Sequence, residues 1–303
     1  LVAPAPLPRM DFGAGIPLDA RAIVVVPALL YGRDNVAALV ESLEVHYLAN
    51  RDPQLRFCLL TDLADAPRQE VYGDADLIEQ ARAGIAALNA KYGKCRPFLL
   101  LHRQRTWSEG EGAWIGRDRK RGKLEDLNAF LLRGERAPFA VIEGPVDGVD
   151  EIRYVITLDA GTGLPRDAAR AFVAAMAHPL NRPVLDDGGR RVVAGHGLLQ
   201  PRMTAALPPE HASRYERLCG GAPGIEQDLF GEGTFAGQGI YDVAVADRVL
   251  RGRLPDDRVL SHDLLEGSYL RAGLLGDAHL VTPCPARYSD DVARRHRQIR
   301  GDW

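Results

Sequence analysis

The 303-residue chain is 46% hydrophobic and 26% charged, and its 38 basic and 41 acidic residues leave a formal net charge of −3. These proportions exclude a disordered polymer and predict one large globular domain or two closely packed ones with a sizeable core. Near-balanced charge also excludes the broad basic field of a nucleic-acid binder, so any anion must be held by local charge.

Four cysteines, Cys58, Cys95, Cys219 and Cys284, stand far apart with no CxxC or Cys/His ligand spacing. Neither a zinc site nor a disulfide framework is expected, and a reducing compartment is the default. The longest apolar run, 22–30, falls well short of the roughly 20 residues of a membrane helix, and the start lacks a signal peptide's charged region. This segment is therefore expected to be soluble by itself.

After a Pro-rich lead over 1–20, AIVVVPALL (22–30) reads as a strand buried on both faces. Residues 34–49 follow as an amphipathic helix, with Asp34 or Asn35 placed to cap it. The pattern repeats with LRFCLLTD (55–62), a helix near 75–91, PFLLLH (97–102), a basic helix over 120–132 and IRYVITLD (152–159). Four such units predict an α/β fold, a doubly wound and mostly parallel sheet with helices on both faces. Beyond 165 a helix near 167–177, a strand near 191–199 and helices near 209–219, 240–250, 262–273 and 289–299 are expected as a second lobe on the same sheet. The division is thus a lead, 1–20, a first half, 21–165, and a second half, 166–303.

Ligands of open α/β sheets bind outside the carboxyl ends of the strands. Three groups fall there: the turn after Val26-Pro27, the Thr61-Asp62 pair and Asp159. For Asp62, a turn or helix-capping role competes with a binding role. Asp159 precedes small residues that leave room for a metal ion and a phosphate. The segment RDRKRGKLEDLN (117–128) gathers Arg117, Arg119, Lys120, Arg121 and Lys123 at a helix start, with Gly122 allowing close backbone approach. An anion site and a merely solvated charged face are the two readings. The upstream WSEGEGAWIG (107–116) puts two tryptophans into a glycine-rich loop, a composition suited to a sugar or base platform. Together these features point to a sugar phosphate.

Several motifs occur in a recognisable order: VVVPALLYGRDN, the Lys123-to-Asn128 K-x-x-x-L-N pattern, TLDAGT, LLQPRM, IEQDLFGEGTFAGQGIYDV, LSHDLLEG and RRHRQIRGDW. Through them the chain resembles the glycosyltransferase domain of cyclic β-1,2-glucan synthases and, more distantly, the processive membrane-associated β-glycosyltransferases. The resemblance implies a GT-A fold, a UDP-glucose donor, a growing β-1,2-glucan acceptor, a divalent Mg²⁺ or Mn²⁺ ion, and inversion at the anomeric carbon. It implies nucleotide-sugar binding by Pro27, Asp62, Lys123 and Asp159, with Asp62 at the uracil or ribose end, Lys123 neutralising the diphosphate and Asp159 holding the metal. Asp263 would be the general base, with Glu266 its nearest rival. Gln200, Arg202, Glu232, Arg297, Arg300 and Trp303 would serve the acceptor or the diphosphate. The same resemblance places the domain on the cytoplasmic face of the inner membrane, joined to membrane-spanning and further carbohydrate-active domains.

Four positions depart from the family pattern, one of them Arg117 in the basic segment, where the relatives often carry an aromatic. Gly161 stands where the second Asp of Asp-Ala-Asp is usual, Gln298 replaces a channel Trp, and Arg294 replaces a Gln. Two other readings follow, a nucleotide-sugar-binding module with weak turnover and a sugar-nucleotide pyrophosphorylase. The LSHDLLEG and RRHRQIRGDW motifs disfavour the latter, which needs no glucan channel.

Overall fold

A computed structural model of the chain describes residues 6–93, 95–206, 213–215, 233–256, 262–282, 287–289, 291–292 and 296. Its frame is an eight-stranded mixed sheet in the order β12-β10-β11-β7-β1-β2-β3-β6. In the first half, β1 (Ala22–Leu30), β2 (Leu55–Leu63), β3 (Phe98–Arg103) and β7 (Tyr154–Thr157) are parallel neighbours. From the second half, β10 (Leu198–Ala205) and β12 (Gly273–Thr282) run parallel to each other on the same sheet. Two strands run against the rest, β6 (Phe139–Glu143) beside β3 and β11 (Gly239–Asp242) between β7 and β10.

The unbroken apolar run of β1 is explained by burial on both faces. Ala22, Val24, Val26, Ala28 and Leu30 pack with α1 (Arg33–Ala49), α2 (Asp74–Lys91) and α4 (Ala168–Ala177). Ile23 and Val25, one pleat out of phase, pack with α3 (Arg119–Arg133) and α5 (Val243–Leu250). Helices therefore cover both faces of the sheet, as the alternating pattern requires.

Pro27 sits inside this central strand without breaking it. Val25 O receives the Leu158 N–H at 3.0 Å, and pairing with β7 ends there. The side of β1 on which proline lacks its N–H is thus already open at Pro27, while pairing with β2 continues to Leu30.

Several local expectations change. The helix expected from 240 starts at Val243, because Gly239–Asp242 forms β11 and the Asp242 side chain accepts the Val245 N–H at 3.1 Å to cap the helix. The helix expected over 262–273 is α6 (Asp263–Leu270), and β12 begins three residues beyond its end. The strand expected over 191–199 is split: β9 (Val192–Ala194) pairs antiparallel with β8 (Val184–Leu185) in a separate two-stranded ribbon, and β10 begins at Leu198. The Trp-containing loop is a hairpin of β4 (Thr106–Ser108) and β5 (Ala113–Ile115), with the Trp107 and Trp114 rings edge to face at 6.0 Å. Neither Asp34 nor Asn35 caps α1; Gly32 is the N-cap, and Asn35 instead accepts the Tyr31 N–H at 3.3 Å. The helices expected near 209–219 and 289–299 lie largely outside the described residues.

The parallel run of β7, β1 and β2 brings Asp159, Pro27 and Asp62 to one edge of the sheet. That edge is where an open α/β sheet presents its ligand site.

Candidate functional site

Asp159 follows the last rung of β7 and is held from two sides. Its backbone N–H donates to Gln238 Oε1 at 3.0 Å. Its half-exposed carboxylate lies 2.5 Å, through Oδ1, from Lys120 Nζ in the first turn of α3. The same ammonium donates to the Gly237 carbonyl at 2.6 Å. Gly237 has φ +79°, and a Cβ built there would stand 2.7 Å from Asp263 Oδ2 and 3.1 Å from Lys120 Nζ. Glycine is required because the backbone turns left-handed where two charged groups close in. Asp159, Lys120 and Asp263 therefore converge on one glycine. An open cleft of about 570 Å³ begins here, lined by Pro27, Ala28, Asp62, Lys120, Lys123 and Asp159 among others.

Asp62 and Lys123 reach this cleft but are largely spent on each other and on the protein. Asp62 is 1% exposed, and both its oxygens are gripped by Arg103, Nε to Oδ1 at 2.8 Å and Nη2 to Oδ2 at 2.9 Å. Burial alone would raise the Asp62 pKa, but Lys123 and the Arg103 hydrogen bonds outweigh it and hold the carboxyl below its usual range. Lys123 Nζ is 3.3 Å from Asp62 and donates to the Ala28 carbonyl at 2.7 Å. Burial lowers the Lys123 pKa against the pull of Asp62. Lys123, expected to neutralise the diphosphate, is not the lysine that faces Asp159 across the cleft. Lys120 does so, because Lys123 lies one turn deeper beneath β1.

The basic segment is mostly neutralised from within. Arg121 is buried against Asp118 at 2.9 Å and Glu125 at 3.0 Å, Arg117 pairs with Asp126 at 2.8 Å, and Arg119 with Asp65 at 3.0 Å. Gly122 does allow close approach, but to the Arg117 carbonyl, which a Cβ would overlap, rather than to a ligand.

Asp263 opens α6, the helix start expected from the sequence. Burial raises its pKa, with His262 and Lys120 pulling the other way and Glu266 and Asp159 adding to the rise. Its Oδ1 is buried with no hydrogen-bond partner among the described residues, which leaves an oxygen able to accept a proton. Glu266 is occupied differently. His262 Nδ1 stands 2.8 Å from Glu266 Oε1 and 3.7 Å from Asp263 Oδ1, so an imidazolium there would be attracted to both carboxylates. Burial opposes the imidazolium, but Glu266 and Asp263 together raise the His262 pKa. These three side chains bring ligand atoms within 4.8 Å of one another, and a protonated His262 would offset one of the two carboxylate charges.

Gln200 supports the site from β10. Its Oε1 accepts the Ala236 N–H at 2.9 Å, which fixes the 233–238 segment that carries Gly237 and Gln238. Arg202 lies half-buried further along the same strand. Glu232, Arg297, Arg300 and Trp303 lie outside the described residues.

Sequence reasoning missed Arg103, Gln238 and His262, and named Lys120 only as one of a run. A signal for Arg103 existed: Thr61-Asp62 and His102-Arg103 close adjacent parallel strands in register, with Thr61 opposite His102. No local pattern marks Gln238, whose partner is 79 residues away.

A divalent cation on Asp159 can be weighed against this donor set. Magnesium-like ions are commonly held by one or two carboxylates, the remaining ligands being phosphate oxygens and water. Asp159, half-exposed at a cleft, fits that description as a single ligand. Gly161 adds none. Its φ is +90°, and it lines a different opening with Ser42, His46 and Thr162.

Among the described residues, no helix is long and apolar enough to cross a membrane. No protein-family model matches the chain. A solved structure of the mannosyltransferase PcManGT from Pyrobaculum calidifontis, in complex with GDP-Man and Mn²⁺, aligns with 98% of this chain and 64% of its own, at a TM-score of 0.47 and 16% identity. The cyclic β-(1,2)-glucan synthase NdvB of Rhizobium meliloti (strain 1021) is 45% identical over 314 aligned residues, which cover 99% of this chain and 11% of that protein's length. Along almost its whole length, therefore, the chain is a homologue of one segment of a cyclic β-(1,2)-glucan synthase.

Proposed function

We propose that this chain is an inverting glycosyltransferase that moves glucose from UDP-glucose to a growing β-1,2-glucan. The observation that carries the reading is the convergence of Asp159 and Asp263 on Gly237 through Lys120, at the carboxyl edge of the parallel strands. The relation to a cyclic β-(1,2)-glucan synthase supports glycosyl transfer and the glucan acceptor.

In this reading, the donor's diphosphate lies in the cleft beside Lys120, and its nucleoside end extends along Pro27 and the Asp62 region. Asp159 would hold Mg²⁺ or Mn²⁺, which when bound neutralises charge developing on the leaving diphosphate. Asp263 removes the proton from the acceptor hydroxyl as that oxygen attacks the anomeric carbon from the face opposite the diphosphate. The new glycosidic C–O bond forms, the bond to the diphosphate breaks, and the proton resides on Asp263. Asp263's raised affinity for a proton suits it to that role. Gln200 positions the segment that holds Asp159, and Arg202, Glu232, Arg297, Arg300 and Trp303 serve the acceptor side. Residues 21–165 would form the donor half and 166–303 the acceptor half.

Because the chain spans 11% of its relative's length, we assign it to a larger protein. The proposed setting is the cytoplasmic face of the inner membrane, with membrane-spanning and carbohydrate-active domains in the same polypeptide.

The test is UDP release from UDP-glucose in the presence of a β-1,2-glucan acceptor. Native protein should turn over and Asp263→Asn should not, at similar donor affinity. Equal rates would remove Asp263 from the mechanism, and donor binding without turnover in the native protein would favour the binding-module reading that Gly161 suggests.

A further inference from the structure

Asp159 already has a cation. Lys120 Nζ stands 2.5 Å from its Oδ1 and 2.6 Å from the Gly237 carbonyl, so one ammonium ties the donor-side carboxylate to the segment beside Asp263. The pair is accessible, with the Lys120 side chain 25% and the Asp159 side chain 51% exposed. A metal ion binding Asp159 must meet this ammonium first. With Gly161 in place of a second carboxylate, it meets it with one protein charge to offer. Lys123 and Arg119 line the same cleft, but each is already paired with a carboxylate there, Asp62 and Asp65.

We infer that Lys120 competes with a divalent cation for Asp159, making the donor-free site a poor metal site that takes its ion only when a diphosphate is present to receive the displaced ammonium. The inference rests on reading Asp159 as the donor-side carboxylate. An ammonium and a divalent ion cannot both sit against one carboxylate oxygen without strong repulsion, and the diphosphate supplies the anionic oxygens that each then needs. Lys120 is suited to such a transfer because its long, flexible stem carries a compact charge with three donors. When it leaves Asp159 it also leaves the Gly237 carbonyl, so arrival of donor and metal would release the segment next to the base.

The experiment follows binding of Mn²⁺ alone by the loss of its free-ion paramagnetic resonance signal, in the native protein, Lys120→Met, Lys120→Arg and Lys120→Met/Asp159→Asn. A charge-assisted hydrogen bond corresponds to a gain of roughly ten- to a hundredfold in Mn²⁺ affinity when Lys120 becomes Met. Lys120→Arg keeps the charge and should stay as weak as native, which separates the effect of charge from any disturbance of folding. The double variant should lose the gain. Native protein binding Mn²⁺ as tightly as Lys120→Met would overturn the inference, as would a gain that survives Asp159→Asn. Titration of UDP with Mn²⁺ present tests the functional reading separately. A protein that ignores UDP defeats that reading, while the Mn²⁺ comparison still decides this one.

Discussion

Arg103 grips Asp62 with two nitrogens in parallel, at 2.8 and 2.9 Å, while its third reaches Asp126 at 2.6 Å. The arginine and Asp62 are almost wholly buried, so neither charge has water to turn to. The network does more than bury an ion pair. It fixes the ends of β2 and β3 to the start of α3, the helix that carries Lys120 into the cleft. Arg103→Met, which leaves Asp62 buried with one of its cations gone, should cost about 3–5 kcal/mol in urea unfolding. Arg103→Met combined with Asp62→Asn should cost less than the sum of the single losses. Strict additivity would show that the two side chains do not act as a unit.

The same pair gives acid unfolding a predictable sign. The folded Asp62 pKa lies below the ordinary value, so its contribution is present above the unfolded carboxylate pKa and is lost as pH falls through the lower folded one. Asp62→Asn should flatten the stability–pH curve in that acid window. An unchanged curve would remove Asp62 as a source of the dependence.

The proton that Asp263 must accept is governed first by burial, with Lys120 pulling its pKa down again. The acid limb of the kcat/KM profile should therefore lie above the ordinary carboxylate range and move further up in Lys120→Met. A limb that stays in place would show that Asp263 does not set it. Asp263→Asn should lower kcat by roughly 10²- to 10⁴-fold, the usual worth of a positioned base.

Restoring the family's second acidic residue should not repair the site. Gly161 adopts φ +90° and faces an opening other than the Asp159 cleft. Gly161→Asp should cost about 1–2 kcal/mol for the left-handed backbone and leave Mn²⁺ affinity unchanged. A tenfold gain in that affinity, measured by titration, would contradict the geometry.

Much of this architecture was legible along the chain, for reasons specific to each element. The runs at 22–30 and 55–62 read as strands because burial on both faces demands continuous apolar residues, and Asp159 stood out as a charge ending such a strand. The antiparallel strands were hidden. β11 has four residues between a glycine-rich segment and a helix, and β6 has partly exposed residues along an edge. At the site, Lys120 and Lys123 lie three apart on one helix face, so spacing could not say which reaches Asp159. Depth decides it: Lys123 fits under the Ala28 carbonyl, while Lys120 is left at the rim. Partners such as Gln238 and Arg103 depend on the crossing of strands, which no local pattern records.

The central claim is that Asp159 serves the donor and Asp263 the acceptor proton. It is tested most directly by calorimetric titration of UDP-glucose, with Mn²⁺ present, into the native protein, Asp159→Asn and Asp263→Asn. Loss of a charged partner should weaken donor binding by roughly tenfold or more in Asp159→Asn, while Asp263→Asn binds like native. Native-like affinity in Asp159→Asn would contradict the account.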